Sequence, residues 1–267
     1  MTAQELRPGR SLDEAKRLAE AGDLAGAEAI LAPLAGRRDD PDQAQAAVGL
    51  AVVLEHRGDH EGARAAARAA LASGHPEYAA QGACHLAQGF ERDGRWDQAR
   101  AAWQAVVGVG TPAYLPTAHM ALARLAVREG DGETAQTHLR AALATADPEV
   151  ASRAAQDLAE YLLEEGEAGE AADVLMEALE TPGVAEAPRL RVLLGLAHLD
   201  MACGQFAGAV EEGSDPETDA LAIELLARTL PLRGRDADAE AVWRYGLEHA
   251  DERLSHEVRL RLERGAV

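Results

Sequence analysis

Apolar side chains recur in a fixed register relative to a series of glycines along this chain. An alanine stands seven residues before each glycine, and a leucine stands eight before all but the first, where Glu14 replaces it. A further Leu, Phe or Ala stands four residues before the glycine, except at Asp200. Apolar residues three to four apart form one face of an amphipathic helix, and glycine suits a helix end. The pattern predicts a first helix, helix A, ending at each of Gly22, Gly58, Gly94, Gly130, Gly166, Gly204 and Gly234.

A second helix, helix B, is predicted to begin about two residues after each glycine. Nine residues after the glycine a bulky side chain usually returns, as Trp103 does, and fills the space between units. Five residues after every glycine stands an alanine, small enough to let two helices approach closely. These alanines are Ala27, Ala63, Ala99, Ala135, Ala171, Ala209 and Ala239.

The spacing of the glycines predicts a repeat array. Successive glycines are 36 residues apart four times, then 38 and 30, and prolines preceded by helix-capping residues keep step with them. Helix pairs at a fixed period indicate a helical solenoid. We predict one all-α solenoid over 1–267, with repeats at about 10–39, 40–75, 76–111, 112–147, 148–181, 182–215 and 216–250, and a capping helix at 251–265. In that last helix Leu262 holds the leucine position.

The unit at 182–215 is irregular. Pro182 and Pro188 predict that its helix A starts at Pro188 after a longer loop. Only twelve positions separate Gly204 from Pro216, which leaves helix B about two turns. Two interpretations stay open: a neutral insertion and deletion in a tolerant loop, or a hinge or notch into which a partner inserts.

Composition and charge narrow the class of protein. The chain is 47% apolar but only 3% aromatic, so alanine, the best helix former, supplies most of the apolar fraction. The net charge of −20 argues against nucleic acid and anionic membranes as partners. Two cysteines provide no disulfide framework, and the N-terminus lacks the apolar core of a signal peptide, so we expect a cytoplasmic protein.

The repeated pattern of this chain resembles the tetratricopeptide repeat. In both, Leu is followed by a small residue, by Leu or an aromatic residue, by Gly, and by Ala five residues after the glycine. The resemblance implies a right-handed superhelix of antiparallel helix pairs whose concave groove binds a segment of another protein. Two features depart from the family pattern. The period is 36 rather than 34 residues, and small residues such as Ala47, Ala83 and Ala155 replace a tryptophan near the start of helix A. Arrays of this kind look like those of GC-rich actinobacteria.

The resemblance also implies which residues line the groove. Six residues before the glycines stand Lys16, Val52, Gln88, Arg124, Glu160, His198 and Arg228, and thirteen before them stand Gln45, Gln81, Thr117, Arg153 and Arg191. Arginine suits binding hot spots, so we predict a basic stripe of Arg124, Arg128, Arg153, Arg191 and Arg228. Alternatively, these arginines pair with Asp157, Glu160 and Glu224. The family's carboxylate clamp needs Lys and Asn at set positions, and the single lysine, Lys16, does not support it.

Acidic residues are concentrated between Ala154 and Ala227, which holds 17 acids and only two bases, Arg189 and Arg191. Four of these acids follow helical spacing along one predicted helix B: Glu170, Asp173, Glu177 and Glu180. They form either a solvated outer face or a patch that steers a basic partner.

Catalytic and metal-binding patterns are weak. Gly58 interrupts the helix that would align His56 with His60 as metal ligands, and the adjacent side chains of Cys84 and His85 diverge on a helix. We therefore predict no enzymatic activity, no cofactor and no metal. The predicted function is a scaffold that binds a segment of a partner protein, with a self-assembling homo-oligomer as the alternative.

Overall fold

A computed structural model describes residues 8–37, 40–145 and 147–264, and in those residues every regular element is helical. The all-α helical solenoid predicted from the glycine register is confirmed. The helices fall into two compact units, residues 1–154 and 155–267.

The first unit is a succession of helix pairs in which consecutive helices pack against one another. Its pairs are α1 with α2, α3 with α4, α5 with α6 and α7 with α8, and the unit ends within α9. The bounds are α1 (Pro8–Glu20), α2 (Leu24–Ala35), α3 (Gln43–His56), α4 (His60–Ala72), α5 (Pro76–Arg92), α6 (Trp96–Val109), α7 (Leu115–Glu129), α8 (Gly132–Leu143) and α9 (Pro148–Glu164).

The turn between helices A and B has a clear physical basis. Gly130 ends α7 with φ +75°, a left-handed conformation that glycine adopts without steric cost. The next residue, Asp131, accepts a hydrogen bond from the backbone N–H of Thr134 at 3.0 Å and so caps α8. Asp23 and Asp59 cap α2 and α4 in the same way.

The predicted alanines form the close contacts between helices. Ala87 stands seven residues before Gly94 and Ala99 stands five residues after it, and both alanines are fully buried. They belong to a cluster with Phe90 and Trp103, whose indole N–H donates to Glu91 Oε1 at 2.9 Å. The space between repeats is therefore filled by the bulky residue, as the register predicts.

A series of ion pairs links consecutive repeats of this unit. In each pair, the residue six after one glycine contacts the residue just before the next glycine. The pairs are Glu28 with Arg57, Arg64 with Asp93 (2.7 Å) and Arg100 with Glu129. The acid comes first in the chain in one of these pairs and the arginine comes first in the other two, whereas the positions relative to the glycines are the same. The place in the repeat therefore determines where an ion pair forms, and either order of charge fits it.

The second unit contains the rest of α9 and five further helices: α10 (Ala168–Glu180), α11 (Ala187–Glu212), α12 (Pro216–Thr229), α13 (Asp236–Leu247) and α14 (Glu252–Arg264). A 3₁₀ turn at Leu230–Arg233 follows α12. Pro188 lies in the first turn of α11, close to the predicted start. Glu186 occupies the N-cap position of that helix with φ +54° and is the only non-glycine residue at positive φ in the described part of the chain.

The prediction that Gly204 ends a helix and that Ala209 belongs to a separate helix B is wrong. α11 is one continuous helix of 26 residues that contains both. The predicted return helix had only about two turns, and so short a helix gains too few hydrogen bonds and too little buried surface to offset its nucleation. Continuing the existing helix costs only the helix-interior penalty of glycine, about 1 kcal/mol.

The second half of α11 packs against α12. Cys203 lies in a cluster with Leu226 and Leu230, whereas Val210 packs on Ala220 and Ile223. Residues later in α11 thus meet residues earlier in α12, so the two helices are antiparallel.

The C-terminal helix α14 covers α12, although not with the predicted residue. Leu254 and Val258 are buried against Ala220 and Ile223. Leu262, at the predicted leucine position, is 37% exposed. Arg261 pairs with Glu224 at 3.1 Å.

Candidate functional site

A groove of about 630 Å³ lies between α1, α3 and α5 in the first unit. Its apolar floor is formed by small and aliphatic side chains, of which Val52 is 42% exposed. The floor residues are Leu12, Ala19, Val48, Gly49 and Val52. Helix A of three consecutive repeats contributes, so the groove extends over three repeats.

Charged side chains stand on both sides of this groove. On α1, Lys16 is exposed, and its ammonium lies 3.9 Å from Glu20, a surface contact of little strength. On α5, Glu77 lines the other side. The groove therefore presents the cation of Lys16 together with the carboxylate of Asp13 on the α1 side of an apolar floor, and the carboxylate of Glu77 on the α5 side.

The carboxylate of Glu77 is fixed by neighbouring donors. Its Oε1 accepts hydrogen bonds from the hydroxyl of Tyr114 and from Nε2 of Gln81, the latter at 2.7 Å. The bond from Tyr114, and then that from Gln81, lowers the pKa of Glu77. Burial, followed by the bond to Glu77, raises the pKa of Tyr114. Glu77 thus stays ionised at neutral pH with its position set before any ligand binds.

An aromatic side chain completes this side of the groove. Tyr78 is half-buried, and its ring centroid lies 4.5 Å from that of His75, the N-cap of α5. A tyrosine held in this way supplies rigid contact area and a polar tip.

The sequence matches the tetratricopeptide repeat. Residues 12–79 and 120–188, together just over half of the chain, fit the model of that family. The chain belongs to the tetratricopeptide repeat (TPR) family.

Solved structures of similar fold include a TPR protein from Parabacteroides merdae, 17% identical over 95% of this chain and 98% of that one, with a TM-score of 0.49. Pseudomonas aeruginosa pilF is 15% identical over 96% of both chains, with a TM-score of 0.47. BtubC from P. vanneervenii is 17% identical over 97% of this chain and 90% of that one, with a TM-score of 0.44. No curated protein matches the sequence.

Four of the positions implied by the TPR register line the groove: Lys16 and Val52, six before their glycines, and Gln45 and Gln81, thirteen before them. Sequence reasoning missed Glu77, Tyr78 and Tyr114. A signal for the tyrosines exists, since Tyr78 and Tyr114 each stand two residues after a repeat proline, 36 residues apart.

The predicted basic stripe is divided between the units. In the first, Arg124 is exposed, and its guanidinium donates to both carboxylate oxygens of Glu91, at 2.8 and 2.7 Å. Arg128 lies over the ring of Trp96, 4.1 Å from its centroid. Gln88 on α5 and Arg153 on α9 are exposed.

In the second unit, Arg191 and His198 are exposed on α11. Arg228 pairs with Glu224 at 3.0 Å, one of the acids named in the alternative interpretation. Glu160 lies 3.6 Å from Arg189 instead. The four acids of α10 are exposed, as both interpretations of them require.

Other titratable groups lie outside the groove. His119 and His138 face each other with their Nδ1 atoms 3.1 Å apart, and burial lowers the pKa of both. Burial raises the pKa of Cys84 to about 11, so this thiol is a poor nucleophile. Within the described residues, no three His, Cys, Asp or Glu side chains could hold a metal together.

Gly58 separates α3 from α4 between His56 and His60, as predicted. His60 Nδ1 lies 3.2 Å from Glu55.

α11 is unusual in its apolar character. Among the described helices it alone is long and apolar enough, by length and composition, to cross a membrane, and 17% of its apolar window is buried. It packs against α10 and α12.

Proposed function

We propose that this TPR protein is a non-enzymatic scaffold that binds a segment of a partner protein in the groove between α1, α3 and α5. The observation that carries the proposal is the exposed apolar floor at Val52 beside the fixed carboxylate of Glu77. TPR proteins generally mediate protein–protein interactions, and this groove has the mixture of apolar surface and few polar groups that ligand sites use.

The groove determines the chemistry of the segment that it binds. An aliphatic side chain would cover Val52, because that side chain is exposed in the free protein. A basic group would lie at Glu77, whose charge and position are fixed. The partner segment therefore carries an apolar residue near a base.

The experiment begins with peptides selected from a random library on the full chain and measures their affinity by fluorescence anisotropy. Val52→Asp should weaken binding at least about tenfold, because it places a charge under the apolar side chain of the ligand. Glu77→Gln should weaken peptides that carry a base and leave neutral ones unchanged.

Val127→Asp is the matched control, since Val127 is 58% exposed on α7 and does not line the groove. It should change affinity less than about twofold. Equal losses in the two valine variants, or no loss in either, would refute the groove as the binding site. Selected peptides that compete with self-association would favour a homo-oligomer.

A further inference from the structure

One face of α11 has an apolar stripe that is covered along only half of its length. The stripe consists of Val192, Leu196, Leu199, Cys203, Phe206 and Val210, whose spacing of three and four residues places them on one side of a helix. The last three pack in the clusters formed with α12. In the first half, Val192 is 65% exposed and Leu196 and Leu199 are half-buried.

In the regular repeats the corresponding face of helix A is buried. Val192 stands twelve residues before Gly204. Arg10 stands twelve before Gly22, and the residues twelve before the other five glycines of this series are small and buried: Ala46, Gly82, Ala118, Ala154 and Ala222.

The contact at Gly82 identifies the neighbour. A Cβ there would lie 2.6 Å from the carbonyl oxygen of Ala67 and 2.9 Å from Cβ of Ala70, both on α4. The face around this position therefore receives the helix B that precedes it in the array.

In α11 the preceding helix B, α10, does pack against the helix, yet the face around Val192 stays open. The buried side chains of its first half are Leu190 and Ala197, on the opposite side of the helix. Gly195 lies beside Val192 and Leu199, and no atom lies within 4 Å of where its Cβ would be. A second helix can therefore approach the backbone closely at this point.

We propose that Val192, Leu196 and Leu199, the α11 face, form a docking site for a single amphipathic helix of a partner protein. Three side chains supply much less area than the roughly 800 Å² that each partner contributes to a stable interface between globular proteins. The size of the patch suits one helix that inserts a few apolar residues. This site is independent of the groove in the first unit.

Charge specifies the orientation and composition of that helix. Between Ala187 and Leu199, α11 contains Arg189 and Arg191 and no acidic residue. A helix B runs antiparallel to the helix A that it covers, so its last turn lies beside the first turn of α11. Arg189 already lies 3.6 Å from Glu160, so acidic residues in that last turn would pair with Arg191, and the two helix dipoles would attract. The partner helix thus has apolar residues at i, i+4 and i+7 and an acidic C-terminal turn.

The chain supplies a probe of this type. α10 is the helix B of the preceding repeat, with Ala171, Leu175 and Ala178 buried along one face and Glu177 and Glu180 in its last turn. A labelled peptide of residues 168–180 would be bridged between positions 169 and 173, both exposed in α10, to keep it helical. Saturable binding to the full chain is expected, weakened at least about tenfold by Val192→Asp in the protein or by Leu175→Asp in the peptide.

Two further variants sharpen the test. Arg191→Glu should weaken binding of the acidic peptide, whereas Val52→Asp, in the other unit, should leave it within about twofold. Circular dichroism would check that each variant is folded, which is expected because Val192 is exposed. A variant that no longer binds the library peptides in the groove but still binds the bridged peptide, or the reverse, would distinguish failure of the proposed function from failure of this proposal.

Three outcomes would overturn the docking site. The first is absence of saturable binding of the bridged peptide, or binding that Val192→Asp leaves unchanged. The second is a dimer in light scattering that Val192→Asp dissociates, which would assign the α11 face to a second copy. The third is flotation with phosphatidylglycerol vesicles that the same substitution abolishes, which would assign it to a lipid surface.

Discussion

The two units of this protein share one sequence motif but use it differently. In residues 1–154 every motif glycine with positive φ is followed by a full-length helix B, and ion pairs connect one repeat to the next. In residues 155–267, Gly204 lies inside a continuous helix, and the corresponding pair positions, Ala172 and Cys203, are buried and uncharged. A motif glycine therefore permits a turn, and the length of chain after it decides whether the turn forms.

The two units also differ in how tightly the bulky residue of helix B is held. Trp103 and Trp243 both stand nine residues after a motif glycine. Trp103 is 2% exposed and hydrogen-bonded to Glu91, whereas Trp243 is half-buried at the edge of a smaller cluster. A tryptophan at the same register position thus contributes more to the stability of the protein where more neighbouring side chains surround it.

The largest expected effect compares these two tryptophans. Trp103→Ala should lower the free energy of unfolding by about 3–5 kcal/mol, because it opens a cavity in a closed core and removes the hydrogen bond that the indole donates to Glu91. Trp243→Ala should lower it by about 1–2 kcal/mol, since solvent already reaches the ring. Urea denaturation followed by far-ultraviolet circular dichroism measures both. Equal losses would mean that the two units are packed alike.

Replacing a glycine of each unit by alanine should give effects of opposite sign. Gly130→Ala forces a side chain into the left-handed region and should lower the free energy of unfolding by about 1–2 kcal/mol. Gly204→Ala should raise it by up to about 1 kcal/mol, because the residue is helical and its Cβ would meet no atom within 4 Å. Thermal unfolding would reveal the signs. Destabilisation by Gly204→Ala would indicate that α11 is broken at this residue.

The smallest effect concerns the ion pairs between repeats. A double-mutant cycle on Arg64→Ala and Asp93→Ala should give a coupling energy of about 0.2–1 kcal/mol. The coupling should shrink in 1 M salt, where the Debye length is about 3 Å. The same cycle on Arg64 and Asp97, which no ion pair joins, is the control. A coupling for Arg64 and Asp93 no larger than that of the control would show that the pair lends the array no stability.

Four lining residues of the candidate groove stand at positions that the register named, six and thirteen before a glycine, because those positions share one face of helix A, whereas no arginine of the predicted basic stripe lines this groove. The groove residues Glu77 and Tyr114 did not follow, since their role depends on a hydrogen bond between residues 37 positions apart. Similarly, Glu91 was not foreseen as the partner of Arg124, because that contact joins two different repeats. Periodicity reports which face a residue lies on, whereas a contact across repeats depends on how two faces meet.

The sequence by itself determined the all-α class, the TPR helix pairs of the first unit and the buried alanines between them, because those features depend on local propensity and on a helical period. Only the tertiary structure decided that Gly204 continues a helix, that Leu254 and Val258 rather than Leu262 cover α12, and that the α11 face is open. Each of these outcomes depends on whether a neighbouring helix is present to bury a given face. The free energy of that burial belongs to the pair of helices and is absent from the local sequence of either one.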